Sequence, residues 1–163
     1  MVYSDAVYSS ELIVTWAEVH RDAKMLVRRL LPATKWTGIV AITRGGLVPA
    51  AILAREMEIH LIDTICISTY EDKSRGEVKV LKVPDRAREV KGKGWLVVDD
   101  LVDTGLTMRT TRELLPEAHV ATIYAKPKGV PFVDTYVHEV PQTTWIHFPW
   151  DTDVTVTLPL ARG

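Results

Sequence analysis

The chain alternates short apolar runs with longer amphipathic or polar stretches, and that alternation predicts an α/β fold. Thr15-Trp16-Ala17-Glu18 has the hydroxyl cap and the acid three residues on that open a helix. Trp16, Val19, Ala23, Leu26, Val27 and Leu30 then recur at helical spacing, so a helix is expected from 16 to about 31, ending before Pro32. Residues 38–42 (GIVAI) read as a buried strand, and 47 to about 57 as a helix whose first turn tolerates Pro49. Two further strands, 61–68 and the alternating 78–83, flank a charged excursion over 69–77. The polar stretch 84–94 leads to WLVV at 95–98, short and continuously apolar, as a strand buried on both faces. A helix over 108–115 stops at Pro116, and a strand over 118–125 follows. Residues 141–151 are aromatic, proline-flanked and aperiodic, hence a loop, and 154–158 alternate as a closing strand. Strands interleaved with helices imply a central, mostly parallel sheet flanked by helices.

Composition narrows the picture without changing it. The 163 residues suit one domain, taken as 11–163, with residues 1–10 a loosely docked tail. The net charge of -1 argues against a general nucleic-acid binder. One cysteine, Cys66, allows no intrachain disulfide; it lies in an apolar run, reads as core packing, and fits a reducing, cytoplasmic compartment. No apolar run is long enough for a transmembrane helix, and the N-terminus lacks the basic start of a signal peptide.

The chemistry gathers at the carboxyl ends of the strands, where open α/β sheets bind ligands. After 95–98 come two acids, Asp99 and Asp100, then a third, Asp103, and the turn Thr104-Gly105-Leu106-Thr107. That turn offers successive backbone N–H groups at a helix start, with two hydroxyls beside them and a glycine allowing close approach, which makes a phosphate cradle. The acids repel phosphate but suit ribose hydroxyls or Mg²⁺. The alternative, a merely solvated strand end, fits poorly with two charges directly after a buried run. A second Gly-rich loop, Thr43-Arg44-Gly45-Gly46, follows the strand at 38–42 and adds a guanidinium, a combination that suits a polyphosphate. Lys126 closes the strand at 118–125, and Trp145 and Trp150 lie in the aromatic loop, either as core caps or as faces on which a base stacks.

VVDDLVDTGLT resembles the PRPP-binding signature of type I phosphoribosyltransferases, a long and ordered pattern. The stretches TRGGLVPAAILARE, VLK, TIYAKP, PQTTWI and PWD extend the resemblance to the family's purine-salvage members over nearly the whole chain after the N-terminal tail. The resemblance implies a type I phosphoribosyltransferase fold with a small C-terminal hood over the base, contributed mainly by about 141–163. It implies Mg²⁺-dependent transfer of the 5-phosphoribosyl group of PRPP to N9 of guanine, xanthine or hypoxanthine, giving GMP, XMP or IMP and pyrophosphate. By the same resemblance, Asp103, Thr104, Gly105, Leu106 and Thr107 hold the 5-phosphate, and Asp99 and Asp100 the ribose, with Asp100 also at the metal. Arg44, Gly45 and Arg75, on a loop that closes over the site, meet pyrophosphate, with a cis peptide at Arg44–Gly45. Asp103 acts as general acid/base at N7 of the base, Lys126 donates to O6, Trp145 stacks, and the Ile146 carbonyl accepts from N2 or N1. The family also implies a homo-oligomer, tetramer or dimer, and for some relatives a peripheral place at the inner membrane. Leu106 stands where a second glycine is usual, which is harmless if its side chain points away. A non-catalytic regulator that senses PRPP or nucleotides on the same fold is the alternative; the absence of a basic stripe and the full base-recognition set favour the enzyme.

Overall fold

The computed structural model describes residues 8–70, 77–151 and 161. The expected closing strand at 154–158, Arg75 and most of its loop, and the first seven residues lie outside the described residues.

A six-stranded sheet carries the molecule. Its strands are β2 (Gly38–Thr43), β3 (Ile62–Tyr70), β4 (Glu77–Lys82), β5 (Trp95–Val102), β6 (His119–Ala125) and β7 (Thr135–Glu139), and its order is β4-β3-β2-β5-β6-β7. All pairings are parallel except that of β4, which runs antiparallel on β3 at one edge. A separate two-stranded parallel sheet joins β1 (Ser10–Ile13) to β8 (Thr144–His147). Four helices, α1 (Trp16–Leu30), α2 (Leu47–Glu56), the short α3 (Asp85–Glu89) and α4 (Leu106–Leu114), complete the described chain together with two 3₁₀ turns.

The helix starts follow from the sequence. Thr15 and Glu18 form the expected capping box: the Thr15 N–H donates to Glu18 Oε2 at 2.8 Å, and the Glu18 N–H to Thr15 Oγ1 at 3.3 Å. The apolar face of α1 buries Val19, Ala23, Leu26, Val27 and Leu30, while Trp16 stays half-exposed beside Trp150. That face also buries an acid. Asp22 accepts from Arg21 Nε at 2.8 Å and from the Tyr124 hydroxyl at 3.2 Å, and pairs with His138 Nε2 at 3.3 Å, which ties α1 to β6 and β7. Burial pushes the Asp22 carboxyl up, but the hydrogen bonds from Arg21 and His138 outweigh it and hold it below the usual carboxylate value.

Strands β2 and β5 are buried on both faces, as their continuous apolar runs require. One face packs against α1 and α2 through Ile39, Ala41, Leu96 and Val98; the other buries Val40, Ile42, Trp95 and Val97 with Met108 and Leu115 from the α4 region.

Four expectations are corrected. The central strand does not stop at Val98: it runs through both acids to Val102, because Asp99, Leu101 and Val102 keep pairing with Thr122, Tyr124 and Ala125 of β6. The stretch 141–151 is not all loop, since Trp145 and Ile146 lie on β8. Its partner comes from the expected tail: the Ser9 N–H donates to the Thr143 carbonyl at 3.0 Å, and Ser10 pairs with Thr144. The cis peptide is Thr43–Arg44, one bond earlier than Arg44–Gly45. Within the polar connector and in the unassigned stretch before β8, α3 and β7 add elements that the hydrophobic pattern did not announce.

Candidate active site

The sheet changes winding direction between β2 and β5: the chain leaves β2 for β3 on one side and β5 for β6 on the other. A crevice opens at the carboxyl ends of such a pair. The pairing of β5 with β2 ends at Ala41 and Val98, while that with β6 continues to Val102. From Asp99 onward, one edge of β5 therefore faces the Arg44–Gly46 loop rather than a strand.

Both glycines of that loop are packed too closely for a side chain. A Cβ on Gly45 would lie 2.6 Å from the Asp100 carboxyl carbon, and one on Gly46 would lie 2.7 Å from the Ile42 carbonyl oxygen. The Asp100 carboxylate thus rests directly on the Gly45 backbone, and the two loops expected to grip one polyphosphate ester are in contact. Arg44 is exposed beside them, and its charge bears on Asp151, as does that of His147.

Asp99 is 8% exposed, and Asp100 is partly buried. The Asp100 N–H donates to Asp99 Oδ1 at 2.9 Å. Burial, reinforced by the charge of Asp100, pushes Asp99 well above the usual carboxylate value. Burial likewise pushes Asp100 up to about 6, and the negative charge of Asp151 adds to that rise. Hydrogen bonds within the pair and from the backbone relieve it only in part. Among the described residues, the charges that bear most on the pair are negative. Hard carboxylate oxygens in that state fit a magnesium ion or hydroxyl donors. Among the described residues, no three His, Cys, Asp or Glu side chains are grouped to hold a metal alone, so an ion here would need oxygens from a ligand as well.

The 103–107 turn meets the cradle geometry. Gly105 has φ of 85°, and a Cβ there would lie 2.5 Å from Phe132 Cε2 and closer still to its Cδ2, so the position demands glycine twice over. Helix α4 starts directly after it at Leu106, and the first N–H groups of a helix lack intrahelical acceptors. Leu106 is 37% exposed, with its side chain turned outward, so it offers the loop the same N–H that glycine would and adds no obstruction.

Asp103 leaves the same loop in the other direction. Its Oδ2 accepts from Lys126 Nζ at 2.9 Å and its Oδ1 from Gln142 Nε2 at 2.6 Å. Lys126 is 1% exposed, held at the carboxyl end of β6 by its own N–H on the Val102 carbonyl at 2.9 Å. The Lys126 ammonium lies 5.3 Å from the centroid of the Tyr8 ring, and Tyr8 meets Trp145 edge-on at 4.9 Å. Trp150, by contrast, stacks on Phe148 at 4.8 Å and caps the core. The carbonyls of Thr143 and His147 point to β1, where they accept from Ser9 and Val14; strand alternation turns the Ile146 carbonyl the other way.

Asp99, Asp100, Asp103, the 104–107 turn, Arg44, Gly45, Lys126, Trp145 and Ile146 are thus brought to one end of the sheet and its small neighbouring sheet. Tyr8, Gln142 and Asp151 join them unforeseen. A model of the phosphoribosyl transferase domain matches residues 13–157. The chain belongs to the phosphoribosyltransferase family. Within that family, the chain is 56% identical over 156 residues to the xanthine-guanine phosphoribosyltransferase of Nitratidesulfovibrio vulgaris (strain DP4), covering 95% of this chain and 93% of the relative. It is 54% identical over 154 residues to the xanthine-guanine phosphoribosyltransferase of Desulfotalea psychrophila, covering 94% of each. Among solved phosphoribosyltransferase structures, the purine phosphoribosyltransferase of Pyrococcus horikoshii Ot3 superposes with a TM-score of 0.76 at 26% identity, over 91% of this chain and 99% of the other.

Proposed function

We propose that the chain transfers the 5-phosphoribosyl group of PRPP to N9 of guanine or xanthine, and of hypoxanthine, releasing pyrophosphate in a magnesium-dependent purine salvage reaction. The observation that carries this reading is the buried Lys126 ammonium paired with Asp103, directly beside the 104–107 turn and close to Trp145 through Tyr8. A cation and a carboxylate side by side match the O6 acceptor and the adjacent N7–H of a 6-oxopurine. Adenine carries an amino donor where Lys126 needs an acceptor.

The reaction breaks the C1′–O bond to pyrophosphate, which departs with the bonding pair, and forms the N9–C1′ bond. Charge builds on the ribose ring in a glycosyl cation-like state, which calls for positioning and charge stabilisation rather than a strong nucleophile. The N–H groups and hydroxyls of residues 104–107 fix the 5-phosphate, and Asp99 and Asp100 accept from the ribose hydroxyls. Asp103 takes the proton at N7 as N9 bonds. Trp145 stacks on the base, and the Ile146 carbonyl accepts from N2 or N1. Arg44 and the Gly45 backbone receive pyrophosphate, with Arg75 as a further cation for it. Asp100 would hold Mg²⁺, which would supply charge neutralisation for the leaving group. A homo-oligomer in the cytoplasm belongs to the same reading; among the described residues no helix is long and apolar enough to cross a membrane.

The test is pyrophosphate release with PRPP and Mg²⁺ against guanine, xanthine, hypoxanthine and adenine in parallel. Release with the 6-oxopurines and none with adenine is expected. Binding of PRPP without release on any base would instead make the chain a sensor.

A further inference from the structure

Gln142 lies in the turn before β8, 39 positions from Asp103 in the chain, and its side chain spans two loops. Its Nε2 donates to Asp103 Oδ1 at 2.6 Å, and its Oε1 accepts from the Lys128 N–H at 3.0 Å. The amide has only one workable orientation: a peptide N–H can only donate, and an ionised carboxylate can only accept. Lys126 holds the other Asp103 oxygen at 2.9 Å. The carboxylate therefore has one fixed donor on each oxygen and cannot rotate without losing one. Asp103 is 39% exposed, so without Gln142 its Oδ1 would turn to water.

We propose that Gln142 is a positioning residue for the base site: it fixes the rotation of the Asp103 carboxylate and locks it to the 126–128 turn, so that Asp103 and Lys126 meet the base as one rigid pair. This rests on the reading that Asp103 works at N7. Only an amide of this length serves both loops. A shorter side chain reaches one of them, and a carboxylate at 142 keeps the Lys128 N–H but sets a second acceptor against Asp103 Oδ1. The charged groups facing the position are Asp103, from the end of β5, and Lys126 behind it, from the end of β6. Lys128 meets it through its backbone N–H.

The isosteric variant Gln142→Glu supplies the decisive test, because its carboxyl can donate to Asp103 once protonated. Turnover with guanine and PRPP is measured from pH 5 to pH 9 for the wild type, Gln142→Glu, Gln142→Ala and Asp103→Asn, with the melting temperature of each. At pH 8, Gln142→Glu is expected to lower kcat about tenfold or more, the scale of a misplaced catalytic group, with KM for PRPP within about twofold. Its kcat relative to wild type recovers as pH falls toward 5, whereas that of Gln142→Ala stays low throughout. A mere tether of the turn predicts the reverse for Gln142→Glu, since the Lys128 bond survives: near wild-type kcat and a ratio flat with pH. Either of those results, with Asp103→Asn inactive, overturns the inference alone. Wild-type turnover in Asp103→Asn overturns the reading of Asp103 and the inference with it. Should Gln142→Ala fail to fold, the pH response of Gln142→Glu decides.

Discussion

Asp103 and the Asp99–Asp100 pair are neighbours in the chain and opposites in their electrostatics. Asp103 has a buried ammonium on one oxygen and an amide on the other. Asp99 and Asp100 have each other and Asp151, and both are pushed upward by burial. One acid is finished within the protein. Among the described residues the other two are left short of positive charge, a state that costs stability in the free protein and that the proposed ribose hydroxyls and metal would relieve. Strand β5 creates the difference: Asp99 and Asp100 lie where its β2 partner has ended, while Asp103 lies past Val102, within reach of the end of β6.

The largest expected effect tests the finished side. Asp103→Ala leaves the Lys126 ammonium buried without a carboxylate, and a broken buried pair costs about 3–5 kcal/mol, reduced here because Asp103 is partly solvated. A loss on the order of 2–3 kcal/mol in denaturant unfolding is expected. Lys126→Met removes the buried charge itself, leaves a partly exposed acid, and should cost less. Equal losses for the two variants would show that the pair is not organised around the lysine.

The unfinished side should respond with the opposite sign. The Asp100 carboxyl is raised from the usual 3.8 to about 6. Below 3.8 it is protonated whether the chain is folded or not, and it contributes nothing. As pH rises from 3.8 toward 6, the unfolded chain releases the proton while the folded one retains it, so stability falls; above 6 the full cost persists. Asp100→Asn should therefore stabilise the free protein by on the order of 2 kcal/mol at pH 7 and by nothing at pH 3.5, while lowering turnover. Thermal melts at the two pH values check this. A variant that gains nothing at pH 7 would mean that the pair is not strained.

The same contrast explains what could be read without coordinates. The proposed PRPP side is contiguous: the strand, both acids and the 104–107 turn follow one another, and Arg44–Gly46 is a second compact loop, so local chemistry alone suggests it. The extent of β5 is not legible because hydrophobicity ends at Val98 while backbone pairing, which the side chains do not report, continues to Val102. The base side is assembled from distant segments. Only the resemblance to relatives assigns Lys126, Trp145 and Ile146 to the base. Gln142 stands inside PQTTWI, but nothing in that stretch says that its amide meets an acid 39 positions away. Tyr8 carried no signal at all, because the parallel pairing of β1 with β8 links the two ends of the chain and leaves no periodicity across the gap. A five-residue helix such as α3 is too short for a helical repeat to register.

Contact between the two proposed PRPP loops can be broken by one methyl group. Gly45→Ala places a Cβ 2.6 Å from the Asp100 carboxyl carbon, so that the carboxylate has to swing aside. The Asp103 side is untouched by this change. A fall in kcat/KM for PRPP of about tenfold is expected, with the base KM and the melting temperature nearly unchanged. If the base KM rises by as much, the two acid sites are coupled and the division between them fails.

The smallest effect belongs to Leu106. It stands in the proposed phosphate loop where the resemblance leads one to expect a second glycine, yet its side chain is 37% exposed and it opens α4. The proposed role in the phosphate cradle uses only its N–H, and glycine offers the same group. Leu106→Gly should leave KM for PRPP within about twofold, since nothing that touches the ligand changes. It should cost stability slightly, by up to about 1 kcal/mol, because glycine loses more backbone freedom on entering a helix. A KM for PRPP that improves severalfold would show that the leucine obstructs the cradle, and that the outward turn of its side chain does not describe the loop when phosphate is bound.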